Sequence, residues 1–555
     1  MAEATLAASK RVEGSWLRRN WIYAPLLIGV LIMLPRLISA NFGLMDDGRA
    51  LSIAQGLLQG KFDLSWDVVA GRARPIYWLA FAFWYLLVGA HPFWYFLGNL
   101  IVFSTTTFLL IHLVQTLGGS KLQAFLTGFV FVLSTSVIEN IYTLSKAENF
   151  QIMLMVSALS LAVLAGRASK STQVWMLLAA SSVILLVACF TKESTILLLP
   201  TGLVWWVIAW MGRKMHFPAA QFVQKTAGFV VLPSLVSAVI FYLGRTAFLS
   251  SSKILGVGQS SGYSFTAGSI LDGFIRWGGW ILRDFIWLIP MTLIVLVWCL
   301  VRRKLPASGL WWLALVWMGF WLGMYIPWRF AVEYYLLPFA AGTAVISGVL
   351  LAELVEMARQ ASVAWKSVGV ISLILTGCLL LTSQANSFTD AAIQLAQDSA
   401  NTRLMEYIAK NAPQNGRVVV NLQIANEYIE QMQLTLAITY KRPDLQLVNY
   451  SGEDLARLKS TTPGLFFVVA ELANQPKMTV RMGLDEPSLK TWNAAVMPEL
   501  ATWNKVFQVS ESPHILPVNF PRLLCAIVNR GSYCSASEPL VDPSHLFYQW
   551  SVYTP

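Results

Sequence analysis

Charged residues are scarce in this chain. Asp, Glu, Lys and Arg together make up 12% of its 555 residues, whereas soluble domains carry roughly 25%. Apolar residues account for 56% of the chain, and the mean hydropathy is +0.58. These values exclude an ordinary soluble protein and predict an α-helical polytopic membrane protein.

Features that would hold a nucleotide or a nucleic acid are also missing. The Gly/Ser-rich stretch "LGVGQSSGYSFTAGS" (255–269) lacks the Lys-Ser/Thr ending of a nucleotide loop. The net charge of +11 comes from residues 1–385, which carry 27 basic and 14 acidic side chains, whereas residues 386–555 carry 13 and 15. The basic excess therefore lies among the membrane segments, where it sets orientation, and we expect no nucleic-acid partner.

Only five cysteines are present. Cys189, Cys299 and Cys378 lie in apolar runs and are expected to be buried thiols. Cys525 and Cys534 ("CAIVNRGSYC") lie in the polar C-terminal region, where they could form a short-loop disulfide if that region lies outside the cytoplasm.

Eleven apolar runs have the length of a membrane span. A twelfth run, "PIYWLAFAFWYLLVGA" (75–90), is short, begins with Pro and is rich in aromatics, which is typical of an interfacial helix. The predicted spans are 21–39, 93–117, 122–138, 150–166, 173–190, 194–211, 227–248, 277–301, 308–326, 331–355 and 367–384.

The positions of the basic residues support this count. With eleven spans and residues 1–20 in the cytoplasm, every short basic connection falls on the cytoplasmic side, as the positive-inside rule requires. A crossing by 75–90 would reverse all later loops. Residues 21–385 are therefore predicted to form the transmembrane domain. Residues 386–555, with strand-like runs such as "RVVVNLQ", "LQLVNY" and "GLFFVVAEL", are predicted to form an extracytoplasmic α/β domain.

The outer face then collects most of the acidic residues of the membrane part. "NFGLMDDGRALS" (41–52) places Asp46 and Asp47 together at the end of the first span. One interpretation is a helix N-cap, which explains one Asp more readily than two. The other is a general base or metal ligand that serves transfer to a hydroxyl.

Four further outer motifs combine acidic and basic side chains. Each has a structural interpretation, such as headgroup anchoring, a polar turn or a local ion pair, and a functional one as a phosphate or substrate site. The candidates are Arg74 in "RARPIYW"; Glu139, Lys146 and Glu148 in "VIENIYTLSKAENF"; Lys192 and Glu193 in "CFTKESTILLLP"; and Arg329, Glu333 and Tyr334 in "YIPWRFAVEYYLLP".

These motifs, in this order, resemble the GT-C superfamily of integral-membrane glycosyltransferases, and among them the protein O-mannosyltransferases and the transmembrane-TPR O-mannosyltransferases. The resemblance covers roughly residues 15–345 and includes "MDDGRAL", the segment after "RP", "IENIYTLSKAENF", "FTKESTILLLP" and "WRFAVEYYLLP". The family spacing of Gly, Pro, Tyr and Asn matches Gly89, Pro92, Tyr95 and Asn99. The chain departs from the family at Tyr334, where an Arg is common, and it has no TPR tail.

The resemblance implies a polyprenyl-phosphate-linked sugar donor that approaches from the bilayer, and a hydroxyl acceptor on a glycan, lipid or protein. Asp46 would act as general base or organise it, with Asp47 beside it. Arg74, Lys192 and Arg329 would stabilise the leaving phosphate. Some relatives use a divalent metal such as Mg²⁺ or Mn²⁺ and others use none, and two carboxylates suit either case.

Two other functions remain open at this point. A transporter or flippase of lipid-linked sugars would be expected to show duplicated halves and broken helices near mid-bilayer. A glycan ligase or polymerase would share the topology and the donor type. We expect a glycosyltransferase of a bacterial cytoplasmic membrane, with its active site and C-terminal domain facing the exterior.

Overall fold

The chain forms a helical bundle joined to a small α/β domain. The structure is a computed structural model. It describes residues 20–44, 46–61, 67, 72–214, 220–248, 264–304, 306, 309–328, 333–360, 362–423, 426–462, 464–473, 486–512 and 547–555. Arg329, Cys525 and Cys534 lie outside these residues, as does the side chain of Glu333.

Fifteen helices make up the membrane part and its connections among the described residues. In chain order they are α1 (Ala24–Ile38), α2 (Asp47–Leu58), α3 (Pro75–Val88), α4 (Pro92–Thr116), α5 (Lys121–Val132), α6 (Thr135–Tyr142), α7 (Ala147–Arg167), α8 (Ser171–Thr191), α9 (Leu198–Lys214), α10 (Ala220–Phe248), α11 (Ala267–Phe285), α12 (Leu288–Arg302), α13 (Leu310–Tyr325), α14 (Leu337–Gln360) and α15 (Val363–Asn411). Short 3₁₀ turns at Trp21–Tyr23, Glu193–Leu197 and Glu333–Leu336 precede α1, α9 and α14.

The helices confirm a multi-pass membrane protein. Eight are long and apolar enough to cross a membrane, and the number rises to ten if each of two bent pairs is one span. The bent pairs are α5–α6, with a bend of 53°, and α11–α12, with a bend of 77°. The predicted span 308–326 corresponds to α13, which has 16 residues, slightly below the usual spanning length. Helix α3, with 14 residues, is too short to cross, as its sequence indicated.

The bend between α5 and α6 exposes backbone groups that need partners within an apolar bundle. The side-chain amide of Gln384, on α15, donates to the carbonyl of Leu133 at the break. The Ser134 hydroxyl donates to the carbonyl of Val130, at 2.9 Å. Tyr142 then fixes the end of α6 to α1 by donating to the Ile32 carbonyl, at 2.6 Å. The backbone groups at the bend therefore have hydrogen-bond partners, and the bend turns α6 towards α1.

The C-terminal domain is built on a five-stranded sheet. Its strands are β1 (Arg417–Val420), β2 (Gln446–Asn449), β3 (Phe466–Ala473), β4 (Asn504–Glu511) and β5 (Phe547–Thr554), in the order β2-β1-β3-β5-β4. Strands β1, β2 and β3 are parallel, and β5 pairs antiparallel with β3 and β4. Helices α16 (Asn426–Ile438), α17 (Leu455–Thr461) and α18 (Glu486–Leu500) complete the domain.

Helix α15 joins the two parts without a break. It has 49 residues and so spans about 74 Å at 1.5 Å per residue. Its C-terminal turns enter the core of the sheet, where Leu404 and Ile408 are fully buried together with Val420 and Val468. The predicted domain boundary at 385/386 falls inside this helix. We call the membrane face that carries the C-terminal domain the site face, and the other the opposite face.

The C-terminal domain also contacts the first loop of the site face. Helix α2 packs against α16, and the two backbones approach closely at Gly48. A Cβ atom at Gly48 would lie 2.6 Å from the Gln431 carbonyl oxygen and 2.9 Å from Thr435 Oγ1. The backbone N–H of Arg49 donates to Gln431 Oε1 at 2.8 Å, and the Arg49 guanidinium pairs with Glu430. The helix that begins at the acidic pair is thus held by the C-terminal domain.

We predict that Gly48→Ala destabilises the protein, because the added methyl group cannot be placed without separating α2 from α16. An Ala in a helix otherwise stabilises by about 1 kcal/mol relative to Gly. Gly56→Ala in the same helix is the matched control, because a Cβ there meets its nearest atom at 3.6 Å. Thermal unfolding of the purified protein should show a lower melting temperature for Gly48→Ala only. Melting temperatures equal to or above that of the wild type for both variants would contradict the close approach of α2 and α16.

Candidate functional site

The acidic pair lies at the point where the first span, the turn before α7 and the C-terminal domain meet. Asp46 has a left-handed backbone conformation (φ 66°) and precedes the first residue of α2, but its side chain makes no capping hydrogen bond. Its carboxylate lies 3.6 Å from the ammonium of Lys146 and is 25% exposed. The helix-cap interpretation therefore does not describe the Asp46 side chain, which is directed to a cation and remains partly open to solvent.

Asp47 has a different environment. It is buried, and it accepts hydrogen bonds from the Gly43 backbone N–H at 2.8 Å and from the Ser145 hydroxyl at 2.9 Å. Burial raises the pKa of Asp47 to about 7, and the nearby Asp398 carboxylate acts in the same direction. The hydrogen bonds from Gly43 and Ser145 and the charge of Arg36 oppose this increase in pKa. Asp47 thus holds the loop together, and its two oxygens are already engaged.

A buried ion pair lies beneath this loop. Arg36, in the last turn of α1, donates from Nη2 to Asp398 Oδ2 at 2.5 Å, and both side chains are almost fully buried. Gln394 donates to the other Asp398 oxygen at 2.8 Å. A Cβ atom built on Gly43 would lie 3.1 Å from Asp398 Oδ1 and 3.5 Å from Asp47 Oδ2. The two carboxylates therefore both lie next to the Cα of Gly43, where a side chain would crowd them.

Sequence reasoning missed Arg36 and Asp398. A signal for Arg36 was present, because "LPRLI" places a guanidinium inside the first apolar run, where a charge requires a buried partner. The identity of that partner could not be predicted from the sequence. Asp398 lies 362 positions away, on a helix whose sequence indicated only amphipathic periodicity.

Two lysines and two tyrosines extend the site away from Asp46. The Lys146 ammonium lies 4.5 Å from the centroid of the Tyr334 ring, and the Lys192 ammonium lies 4.6 Å from that of Tyr335. The two rings are 4.3 Å apart. Cations bind the faces of aromatic rings through the ring quadrupole. The result is a continuous row in which two ammonium groups lie over neighbouring rings at the site face.

Glu148 completes this row. Its carboxylate is buried in the first turn of α7 and forms an ion pair with Lys192. Two amide hydrogen bonds hold the surrounding backbone: Asn140 donates to the Tyr334 carbonyl at 3.0 Å, and Asn149 donates to the Asn140 carbonyl at 2.7 Å. Three separate sequence motifs, which contribute Lys146 and Glu148, Lys192, and Tyr334, therefore form one cluster.

Arg74 is engaged by a neighbour of its own. Its guanidinium contacts both oxygens of Asp67, with the shortest distance 2.5 Å, and Trp78 Nε1 donates to Asp67 at 2.6 Å. The nearby Glu193 has one buried carboxylate oxygen with no hydrogen-bond partner among the described residues. Glu139 is buried in α6. Arg74 is thus held in place by Asp67, as Lys192 is by Glu148 and Lys146 by Asp46.

The residues present give limited support for a metal site. Among the described residues, no three side chains of His, Cys, Asp or Glu lie close enough to hold one ion. Asp46 and Asp47 are adjacent, but Asp46 faces Lys146, and Asp47 is occupied by Gly43 and Ser145. Among the described residues, the partly exposed Asp46 carboxylate is the one group of the pair that could hold a divalent ion, together with groups of a substrate.

The arrangement of helices and C-terminal domain is found in a known structure. ArnT from Cupriavidus metallidurans, solved bound to undecaprenyl phosphate, matches with a TM-score of 0.50 and 13% sequence identity, over 88% of this chain and 96% of that chain. The oligosaccharyltransferase AglB from Archaeoglobus fulgidus, in complex with an inhibitory peptide and a dolichol-phosphate, gives a TM-score of 0.44 at 11% identity, over 78% and 65% of the two chains. No protein-family model and no curated protein sequence matches the chain.

The ArnT comparison supports the fold on its own, since the AglB score is too low to add to it. The chain has the GT-C fold that its motifs indicated. Its resemblance to the O-mannosyltransferase members of that superfamily remains a prediction.

We predict that Asp47 makes stability depend on pH. The unfolded chain loses this proton near pH 3.8, whereas the folded protein retains it to about pH 7. The folded state therefore binds more protons between these values, and stability falls as the pH rises through them. The apparent melting temperature of the wild type should decrease between about pH 5 and pH 7, and Asp47→Asn should reduce that slope.

Asp46→Asn is the matched control for this measurement, because it leaves Asp47 and its two hydrogen bonds in place. It should retain the wild-type slope. If Asp47→Asn and the wild type respond identically to pH, the buried Asp47 carboxyl is not the titrating group.

Proposed function

We propose that the protein is a glycosyltransferase that moves a sugar from a polyprenyl-phosphate donor to a hydroxyl group of a glycan, lipid or protein, on the outer face of a cytoplasmic membrane. The observation that carries the proposal is that the two carboxylates of the acidic pair have different environments. One carboxylate, Asp46, is partly exposed beside a cation, while its neighbour Asp47 is buried and structural. The fold likeness to ArnT, which was solved with undecaprenyl phosphate, supports the choice of donor class.

Asp46 is the better general base of the two. A base must reach the proton that it removes, and the exposed Asp46 carboxylate meets that condition. Its oxygen would accept the proton of the acceptor hydroxyl as the hydroxyl oxygen attacks the anomeric carbon. The bond from that carbon to the phosphate oxygen breaks in the same step, and the polyprenyl phosphate leaves with the bonding electron pair. This role is assigned to Asp46 from its exposure and its distance to Lys146.

The negative charge that develops on the phosphate requires stabilisation. Lys192 and Lys146 lie along the row of tyrosine rings, and both are held by carboxylates and aromatic faces before any substrate arrives. Fixed cations stabilise a developing charge without reorganisation during the reaction. Lys192 is the stronger candidate for the phosphate, because Lys146 lies beside the proposed base. Arg329, outside the described residues, remains a further candidate.

Asp46 and Asp47 can be tested separately by sugar transfer in reconstituted protein with radiolabelled polyprenyl-phosphate sugars. We expect Asp46→Asn to reduce the rate by at least about 100-fold, which is typical when a general base is lost. Asp47→Asn should act mainly through stability and leave measurable transfer. Asp272→Asn is the control, because this carboxylate is exposed in α11 at the same face and away from the pair. The same transfer assay with a chelator added tests for a divalent metal.

Unchanged transfer in Asp46→Asn would reject the proposed base. Lipid-sugar movement across the bilayer without transfer from any donor would favour the transporter. Transfer of preassembled chains, with single sugars inactive, would favour a ligase or polymerase.

Lys192→Met should affect the donor more than the acceptor, because the missing cation contacts the donor phosphate. The KM for the donor should rise by a larger factor than the affinity for the acceptor falls. Lys192→Arg retains the charge and should recover part of the activity. Lys61→Met is the control, since Lys61 is exposed and follows α2 in the first loop of the site face. Steady-state kinetics, with the donor varied at fixed acceptor and then the acceptor varied at fixed donor, will separate the two constants. An unchanged donor KM in Lys192→Met would remove Lys192 from the phosphate site.

A further inference from the structure

An apolar cavity lies inside the helical bundle, well away from the acidic pair. It contains about 770 Å³ free of protein atoms, including its mouth, and it is lined by α4, α7, α9, α10, α13 and α14. Thr226 supplies the one hydroxyl of the lining. The indole N–H groups of Trp205 and Trp317 donate to the carbonyls of Leu313 and Pro338, so the rings present only apolar surface to the cavity. A cavity of this composition excludes water and suits a hydrocarbon chain.

The cavity reaches the opposite face of the membrane part. Leu117 follows the last residue of α4, Val223 lies in the first turn of α10, and Leu310 is the first residue of α13. All three are lining residues, and these helix ends lie on the face away from the C-terminal domain. Leu117, Leu313 and Val345 are only half-buried, so part of the lining remains accessible.

A cation stands at this end of the cavity. Arg167, the last residue of α7, donates to the Thr116 carbonyl, next to the lining residue Leu117. Its guanidinium carbon lies 5.6 Å from the centroid of the Phe222 ring, next to the lining residue Val223. The guanidinium is thereby fixed at the rim while the residue remains exposed. An exposed guanidinium at a membrane surface can bind a phosphate by two parallel hydrogen bonds.

We propose that this cavity binds an anionic phospholipid of the leaflet opposite the acidic site, with one acyl chain between the helices and the headgroup phosphate on Arg167. The combination of a dry apolar cavity and a fixed cation at its rim carries the proposal. Basic pockets between membrane helices are a known way of holding anionic lipids. The inference is independent of the proposed transfer activity, because it uses none of the residues of the acidic site.

The donor lipid is a poorer occupant for geometric reasons. Its phosphate is assigned to the site face, near Glu148 and Lys192. Arg167 lies at the other end of the same helix α7, 19 residues from Glu148, which corresponds to about 28 Å along the helix axis. A phosphate at Lys192 could not also contact the cation at the rim.

Native mass spectrometry of the delipidated, detergent-purified full chain tests the proposal, with phosphatidylglycerol and phosphatidylcholine as probes. We expect Arg167→Gln to reduce phosphatidylglycerol binding several-fold and phosphatidylcholine binding less, because the choline ammonium offsets the charge of the phosphate. Ala314→Leu and Ala227→Leu extend side chains into the cavity from two different helices, and each should reduce binding of both lipids. Lys366→Gln is the matched control, because Lys366 is exposed on the same face on a helix that does not line the cavity.

Melting temperatures show whether either cavity-filling variant fails to fold. If one fails, the lipid binding of the other variant tests the proposal. Phosphatidylglycerol binding that is unchanged in Arg167→Gln and in the folded cavity-filling variant would overturn the proposal. Equal binding of the two lipids by the wild type would remove the role of the cation and overturn it as well. Displacement of phosphatidylglycerol by undecaprenyl phosphate at equal concentration would reassign the cavity to the tail of the donor.

Discussion

The buried ion pair between Arg36 and Asp398 is the interaction on which the candidate site depends. It joins the first span to the helix that continues into the C-terminal domain, and both groups are almost fully removed from water. Desolvating two charges is costly, and removing one partner would leave an uncompensated buried charge at a cost of about 3–5 kcal/mol. Such a pair contributes little net stability. Its geometric requirement, however, fixes the end of α1 relative to α15, and Asp398 lies next to Gly43 in the loop that follows α1.

This constraint explains why the adjacent acids can differ. Asp47 is drawn inward to the backbone of Gly43, beside Asp398, whereas the left-handed backbone of Asp46 turns its side chain towards Lys146. Two identical residues, adjacent in sequence, thereby differ in exposure: the Asp46 side chain is 25% exposed, and Asp47 is 3% exposed. Under the proposed function, the dipeptide supplies one carboxylate for chemistry and a second that holds the loop. The contact of α2 with α16 then fixes the direction in which the helix leaves the pair.

Much of this organisation was predictable from the sequence, for identifiable reasons. Spans are set by runs of apolar residues, so the long helices and the short α3 followed from length and composition. Strands β1 and β3 carry buried β-branched and aromatic residues and were predicted, as was β2, which buries Leu447. Strand β4, with mostly exposed residues, and β5 were not predicted. The candidate residues came from charges in outer motifs. The pairing of Arg36 with Asp398, Arg74 with Asp67 and Lys192 with Glu148 depends on the packing of separate helices, which no local pattern encodes.

The unbroken course of α15 has a mechanical consequence. A single helix runs from the opposite face into the sheet and resists bending. Arg36 holds it through the ion pair with Asp398, where the helix leaves the bundle. The C-terminal domain therefore cannot hinge away from the membrane without bending that helix or breaking a buried ion pair. Under the proposed function, an acceptor would have to reach Asp46 without a hinge movement of this domain.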